Sequence, residues 1–327
     1  MTMYETESLT LQRQITAAKS GFTALEEIAS EPDLLNQFLV RPGARIVLDD
    51  IDPGYCEGYQ SYERALPKVQ TQMAKIDRLQ YLMHAEKKHS LLIVLQGMDA
   101  GGKDGVVRHI VTTINPAGCR VVNFKQPTAA ELGHDFLWRV HPHVPARGEI
   151  TIFNRSHCED VLVVRVHQLA PLHVWSKRYD LINSFERLLV LDNDTTVLKF
   201  FLHISKDEQL ARFKRRLDDP ARRWKISEAD YREREHWNSY IEAFEEMLQR
   251  TSTVYAPWFV IPSDHKWFRD LAVSQIISRT LEQLDMKLPE PAVDLARIRR
   301  QYHEAELGAK AAYMARALPG GTGQAAS

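Results

Sequence analysis

Between residues 97 and 105 the chain reads GMDAGGKDG. Gly97, Gly102 and Lys103 keep the spacing G-x-x-x-x-G-K. That spacing marks a loop whose backbone amides cradle phosphate while the lysine reaches the outer phosphates. The residue after such a lysine is ordinarily Ser or Thr, whose hydroxyl binds Mg²⁺. Here it is Asp104, and a second acid, Asp99, stands inside the loop. Carboxylates repel phosphate unless a cation lies between them, and Mg²⁺ commonly takes one or two carboxylates together with phosphate oxygens. Asp99 is therefore the expected metal contact. Asp104 is the weaker candidate, because an acid in the first turn of a helix is favoured by the helix dipole in any case. Ala100, Gly101, Gly102, Asp104 and Gly105 complete the expected phosphate cradle. A glycine turn with a solvated lysine is the alternative. The loop's position after the apolar run LLIVL and before VVRHIVTTI argues against it.

Further anion-binding groups lie downstream. The stretch GEITIFNRSHCED is apolar to Phe153 and then abruptly polar. A strand beside the phosphate-loop strand ordinarily ends in an acid at this point. This chain has Asn154 followed by Arg155, with Glu159 and Asp160 as the nearest acids. Arg155 could clamp a phosphate with its planar fork. Residues 212 to 225, RFKRRLDDPARRWK, carry Arg212, Lys214, Arg215, Arg216, Arg222, Arg223 and Lys225 around a helix break at Pro220. Two basic helix ends at a flexible corner suit a lid that closes on phosphates; a solvated charged face is the bland alternative. Lys125 and Arg139 are further phosphate candidates. His141 and His143 lack a third ligand and sit among prolines, so a plain loop is expected there rather than a metal site.

The elements that position these groups follow from hydrophobic period. Strands are expected at 91–96, 120–124, 149–153, 197–204 and 258–262, separated mostly by stretches of helical length. That alternation implies a parallel sheet with helices on both faces. A helix is expected over 64–88 from the apolar face Leu66, Val69, Met73, Ile76, Leu79, Leu82 and Met83. Ser205 with Glu208, and Ser227 with Asp230, fit capping boxes. Residues 1–45 read as a helical extension, 46–290 as the catalytic domain with a lid at about 206–235, and 291–327 as a helix with a disordered tail. The chain has 327 residues, 44% of them hydrophobic, and a formal net charge of −1, so any anion site must be local rather than a global field. Three scattered cysteines form neither a zinc spacing nor a disulfide framework. The first ten residues are neither basic nor apolar, and no run nears the ~18 apolar residues of a membrane helix. A cytoplasmic protein is expected, with no membrane or nucleic-acid partner.

The segments GMDAGGKDG, FKQPTAAELGHDFLWR, IFNRSHCEDVLVVRVH, KFFLHISKDEQLARFKRRLDDPARRWK and TSTVYAPWFVIPSDHKWFRDLAV resemble, in this order, the family-2 polyphosphate kinases. The resemblance spans about residues 46 to 285. It implies a P-loop kinase-like α/β/α fold, a five-stranded parallel sheet and a helical lid. It also implies reversible, Mg²⁺-dependent phosphoryl transfer between inorganic polyphosphate and purine nucleotides, and a homo-oligomer by analogy. Asp99 and Asp104 fit the family's loop. Asn154, where some branches place Asp, resembles the branch that phosphorylates AMP as well as ADP. On this reading Asp99, Lys103 and Arg155 are catalytic and Asn154, Glu159 and Asp160 meet the acceptor nucleotide. Lys125, Arg139, Arg155 and the lid residues Arg212, Arg215, Arg216, Arg222 and Arg223 carry polyphosphate. No phosphohistidine is expected. Two departures stand out: Gly101 for the usual Ala, expected to loosen the loop, and Cys158 for the usual Tyr. An ATP-dependent nucleotide kinase on the same fold and a non-catalytic polyanion binder are the competing readings.

Overall fold

The computed structural model describes residues 37–317 apart from 57, 58 and 60. The expected helix over most of 1–45 and the tail after 317 lie outside the described residues. The strands are β1 (Leu39–Val40), β2 (Ser90–Gln96), β3 (Cys119–Asn123), β4 (Ile150–Asn154), β5 (Thr195–His203) and β6 (Trp258–Pro262). The helices of eight or more residues are α1 (Tyr62–Glu86), α2 (Lys103–Val111), α3 (Arg178–Asn193), α4 (Lys206–Asp218), α5 (Glu228–Glu235), α6 (Trp237–Thr251), α7 (Lys266–Glu282) and α8 (Leu295–Ala317).

The strands form one sheet in the order β1-β6-β5-β2-β4-β3. The five strands expected from the sequence pair in parallel, and β1 pairs antiparallel with β6, Leu39 opposite Phe259. The expectation of five strands is corrected to six. Two residues of a segment read as helical are extended instead, because the edge of β6 offers them backbone partners that no local period announces. β2 is buried along its whole length, as a central parallel strand covered on both faces should be. Its side chains alternate between two cores. Leu91, Ile93 and Leu95 pack with α1, α2 and α7, whereas Leu92 and Val94 pack with α3 and α6. On α1 the buried stripe Ala65, Val69, Met73, Ile76, Leu79 and Met83 has the expected three-four spacing.

Because all five core strands run the same way, their carboxyl ends lie along one edge. In open α/β sheets that edge is where ligands bind. Gln96, Asn123, Asn154, His203 and Pro262 end there, and β2, at the centre, hands directly into the glycine loop. The chain divides at residue 287 into two compact units. Within the second, α8 exposes most of its side chains.

Candidate active site

The loop from Gly97 to Gly102 joins buried β2 to α2, and its carbonyls are fastened from one side. Gln209 Nε2 donates to Asp99 O at 2.9 Å. Arg212 Nη1 donates to Ala100 O at 2.8 Å and Gly101 O at 2.9 Å. Arg269 Nη1 reaches Gly102 O at 3.4 Å. With the carbonyls so engaged, the amides of Ala100, Gly102, Lys103 and Asp104 have no acceptor among the described residues. Free amides at a helix start, added to the helix dipole, make an anion seat.

Gly102 has φ +107°, and a Cβ there would lie 2.1 Å from Arg269 Nη1, so a side chain would strain the backbone and have to displace that guanidinium. At Gly101 a Cβ would fall 2.8 Å from Met98 O, to which the Gly101 amide donates at 2.9 Å. Glycine at 101 therefore lets the turn close on the Met98 carbonyl, where a Cβ would crowd it.

Lys103 is half-buried and folds back on the loop, its Nζ donating to Gly97 O at 2.6 Å and Met98 O at 3.2 Å. Burial and then the Arg155 charge push this ammonium below the usual lysine range, with Asp99, Glu159 and Asp104 pulling the other way. Arg155 leaves β4 in the left-handed region, φ 64°, and its Nη2 meets Asp99 Oδ1 at 2.9 Å. Burial opposes the Arg155 charge, but Glu159 and then Asp99 outweigh it and raise the guanidinium further. Asp99 Oδ2 has no hydrogen-bond donor among the described residues, so one oxygen of this half-buried carboxylate is available to a cation.

Asp104 differs. Its Oδ1 accepts from Asn154 Nδ2 at 3.0 Å and its Oδ2 from Lys225 Nζ at 3.1 Å. Burial disfavours its charge, but those two donors outweigh burial and hold the carboxyl below the usual range. Asn154 Nδ2 also donates to Asn123 Oδ1 at 2.7 Å, which ties the ends of β3 and β4 together. Of the two loop acids, Asp99 fits a metal role and Asp104 fits a latch.

That latch is closed by the lid. α4 ends at Asp218, ahead of Pro220, as the sequence implies. After it Arg223–Lys225 form a 3₁₀ turn, and α5 follows. The Lys225–Asp104 contact puts the basic corner over the loop. The lid arginines are held by neighbours: Arg215 by Glu208, Arg216 by Asp230 at 3.3 Å, Arg222 by Asp219 at 2.8 Å, and Arg223 by Leu217 O at 2.9 Å. Ser205 Oγ accepts from Glu208 N, one half of the expected box; the other half is not formed, because Ser205 N donates to Asp264 Oδ1 and the Glu208 carboxylate is taken by Arg212 and Arg215. Ser227 caps Ala229 instead of Asp230, whose carboxylate is drawn to Arg216, so that expected box is corrected.

Arg212 is the site residue the structure moves furthest from expectation. It is 5% exposed and lies behind the loop rather than on the open face. Besides Ala100 O and Gly101 O it binds Glu208 Oε1 at 2.8 Å, Ser263 O, and Asp264 O at 3.3 Å. Lys125 is exposed, and Arg139 donates to its carbonyl at 2.8 Å while lying over the Phe124 ring. This pair stands at the end of β3. Asp160 pairs with Arg178 at 2.8 Å, yet burial pushes its carboxyl up to about 6. Behind β4, His157 and Lys199 share the fully buried Glu186. Burial alone would lower the His157 imidazole, but contacts with Cys158 and Glu186 raise it to about 9. Gln209, Arg269 and Asn123 complete the site and were not singled out from sequence; Lys225 was named there in the basic run, but not as a partner of Asp104.

The comparisons with known proteins agree with this geometry. The sequence model of the polyphosphate kinase 2 family matches residues 58–289. An AMP/ADP-polyphosphate phosphotransferase of Meiothermus ruber is 48% identical over 258 residues, 79% of this chain and 96% of that one. An ADP-polyphosphate phosphotransferase of Rhodopseudomonas palustris is 43% identical over 78% of this chain and 92% of its own length. The crystal structure of polyphosphate kinase 2 from Arthrobacter aurescens TC1 superposes with a TM-score of 0.77 at 39% identity, covering 81% of this chain and 95% of that one. The glycine loop with its inner aspartate, the arginine after β4 and the basic lid are thus features of a chain that belongs to the polyphosphate kinase 2 family.

Proposed function

We propose that this protein transfers a phosphoryl group from inorganic polyphosphate to AMP and to ADP, reversibly. The observation that carries the reading is the 48% identity, across nearly the whole of its length, to a relative named for both acceptors. The site supports it chemically. Phosphoryl transfer needs alignment and charge neutralisation more than covalent help. The free amides of Ala100, Gly102, Lys103 and Asp104 and the Lys103 ammonium hold the phosphates at the loop. Arg155 contributes a planar fork beside the group being transferred, and Lys125, Arg139, Arg215, Arg216, Arg222 and Arg223 continue the cationic path for the chain. Asn154, Glu159 and Asp160 lie on the acceptor side. The acceptor oxygen is ionised at neutral pH, so no strong general base is required.

The donor set fits a hard divalent ion such as Mg²⁺. Asp99 presents one uncommitted carboxylate oxygen, and such ions typically complete their shell with phosphate oxygens and water. When bound, the ion neutralises phosphate charge. Arg212 serves this site by holding the loop. The same reading sets the enzyme in the cytoplasm, as a homo-oligomer. Its free cysteines, Cys56, Cys119 and Cys158, suit a reducing compartment.

The test is donor choice. Purified protein with Mg²⁺ and ADP should form ATP when long-chain polyphosphate is added, and AMP should give ADP under the same conditions. Transfer to AMP that runs from ATP and fails with polyphosphate would replace this reading with that of an ATP-dependent kinase.

A further inference from the structure

Gln209 joins two parts of the site that lie far apart in sequence. We propose that Gln209 is a positioning residue that couples closure of the lid to the placement of Asp99; this rests on the phosphotransferase reading above.

Gln209 is 2% exposed and sits in the first half of α4. Its amide is committed in two directions. Nε2 donates to the carbonyl of Asp99 at 2.9 Å, and Oε1 accepts from Arg234 Nη1 at 2.9 Å. Arg234 Nη1 also donates to Lys206 O at 2.8 Å, and its guanidinium lies over the Trp237 ring. Arg234 belongs to the last turn of α5, the returning arm of the lid. The end of the lid and the peptide of Asp99 are therefore held by opposite ends of one amide. On its other side, the Asp99 carboxylate is held by Arg155.

An amide has a donor end and an acceptor end, so both bonds demand a single rotamer. With Arg234 in place the rotamer is fixed and the Asp99 peptide is held. When the lid leaves, Arg234 leaves with it, and the Gln209 bond to the loop loses the partner that oriented it. The root of α4 also has anchors that do not involve the lid. Ser205 caps it through Glu208 N at 3.0 Å, and the Ser205 amide donates to Asp264 Oδ1 at 2.8 Å. Loss of Arg234 removes one bond at Lys206 O, but of the groups it releases only the Gln209 side chain also reaches the loop, which suits a coupling element. Misplacing a reacting group by ~1 Å costs on the order of 100-fold in rate, so a small loop displacement is enough to gate chemistry.

Three variants separate the two bonds. Gln209→Glu keeps an acceptor for Arg234 and removes the donor to Asp99 O. Gln209→Met removes both. Arg234→Met removes the lid partner and leaves the donor. Hydrogen exchange is read on the loop (residues 97–105) and the lid corner (residues 219–227), with tripolyphosphate and Mg²⁺ present. Arg234→Met should raise loop exchange about ten-fold, the equivalent of one lost hydrogen bond, although Arg234 touches no loop atom. Gln209→Glu should raise loop exchange while leaving the lid corner as in the wild type. In turnover, Gln209→Glu should lower kcat by about 10- to 100-fold with KM for polyphosphate nearly unchanged. The double variant Gln209→Met/Arg234→Met should be no worse than Gln209→Met alone. Loop exchange at the wild-type level in Arg234→Met, or additive losses in the double variant, would overturn the coupling. Should Gln209→Met fail to fold, judged by its Tm, the other two variants still decide. An inactive wild-type protein would overturn the phosphotransferase reading alone, since the exchange measurements need no turnover.

Discussion

Replacing Arg212 by Met separates two roles that a basic lid residue could have. Were Arg212 one more phosphate ligand, its loss would raise KM for polyphosphate and leave the fold intact. The structure gives it a different load. Its guanidinium binds four backbone carbonyls, those of Ala100, Gly101, Ser263 and Asp264, together with the Glu208 carboxylate. Methionine fills similar volume and supplies none of these donors. An orphaned buried acceptor costs about 1–3 kcal/mol, and breaking a buried ion pair from one side costs about 3–5 kcal/mol. These terms overlap, because Arg215 still holds Glu208 and the carbonyls can relax, so about 3–5 kcal/mol is the expected total. For a domain of this size that lowers Tm by about 6–20 °C. The loop should lose its shape, so kcat should fall by about 100-fold or more while KM for polyphosphate stays within about threefold. Scanning calorimetry and initial rates on Arg212→Met, beside Arg222→Met as the lid-surface control, measure both. An Arg212→Met protein with wild-type Tm and a raised KM like that of Arg222→Met would refute the buttress and restore Arg212 to the phosphate path.

Three other outcomes follow from the geometry. Gly102→Ala sets a Cβ against Arg269 Nη1 in a left-handed backbone, so it should lose about 2–5 kcal/mol in chemical denaturation and most activity; a stable, active variant would show that Arg269 can move aside. Lys225→Ala breaks the latch on Asp104, a half-exposed pair worth about 0.2–1 kcal/mol, so Tm should barely move while hydrogen exchange at the lid corner accelerates; unchanged exchange would mean the lid is held by other contacts. Burial raises Asp160 to about 6, so the folded protein binds this proton more tightly than the unfolded chain does. Its stabilising contribution is present at low pH and is lost as pH rises from the ordinary aspartate range to about 6. Asp160→Asn should flatten that part of the Tm–pH curve, and an unaltered slope would contradict the assignment.

What the sequence made legible was what repeats or clusters locally. The five core strands announce themselves as short apolar runs, and the glycine loop is recognisable because its spacing and its strand–helix context occupy a dozen contiguous residues. The basic corner was legible for the same reason. The underside of the loop was not. Gln209 reaches Asp99 across 110 residues and Arg269 reaches Gly102 across 167, and such contacts leave no period in the sequence. Charge alone also could not sort the arginines. Arg212 and Arg222 belong to one run, yet the first is buried and the second half exposed. Arg212 lies on the face of α4 that packs against the loop, whereas Arg222 follows Pro220 beyond the end of that helix. β1 was missed because an edge strand of two residues is set by its partner β6 rather than by its own composition.

The most direct measurement is nucleotide analysis by chromatography after incubation with Mg²⁺ and long-chain polyphosphate, with AMP and ADP in separate tubes. Lys103→Ala and Asp99→Asn serve as controls. ADP and then ATP should appear from AMP, and ATP from ADP, with both products lost in the two variants. No product in either tube, or product that survives the loss of Lys103 and Asp99, would contradict phosphoryl transfer from polyphosphate at this loop.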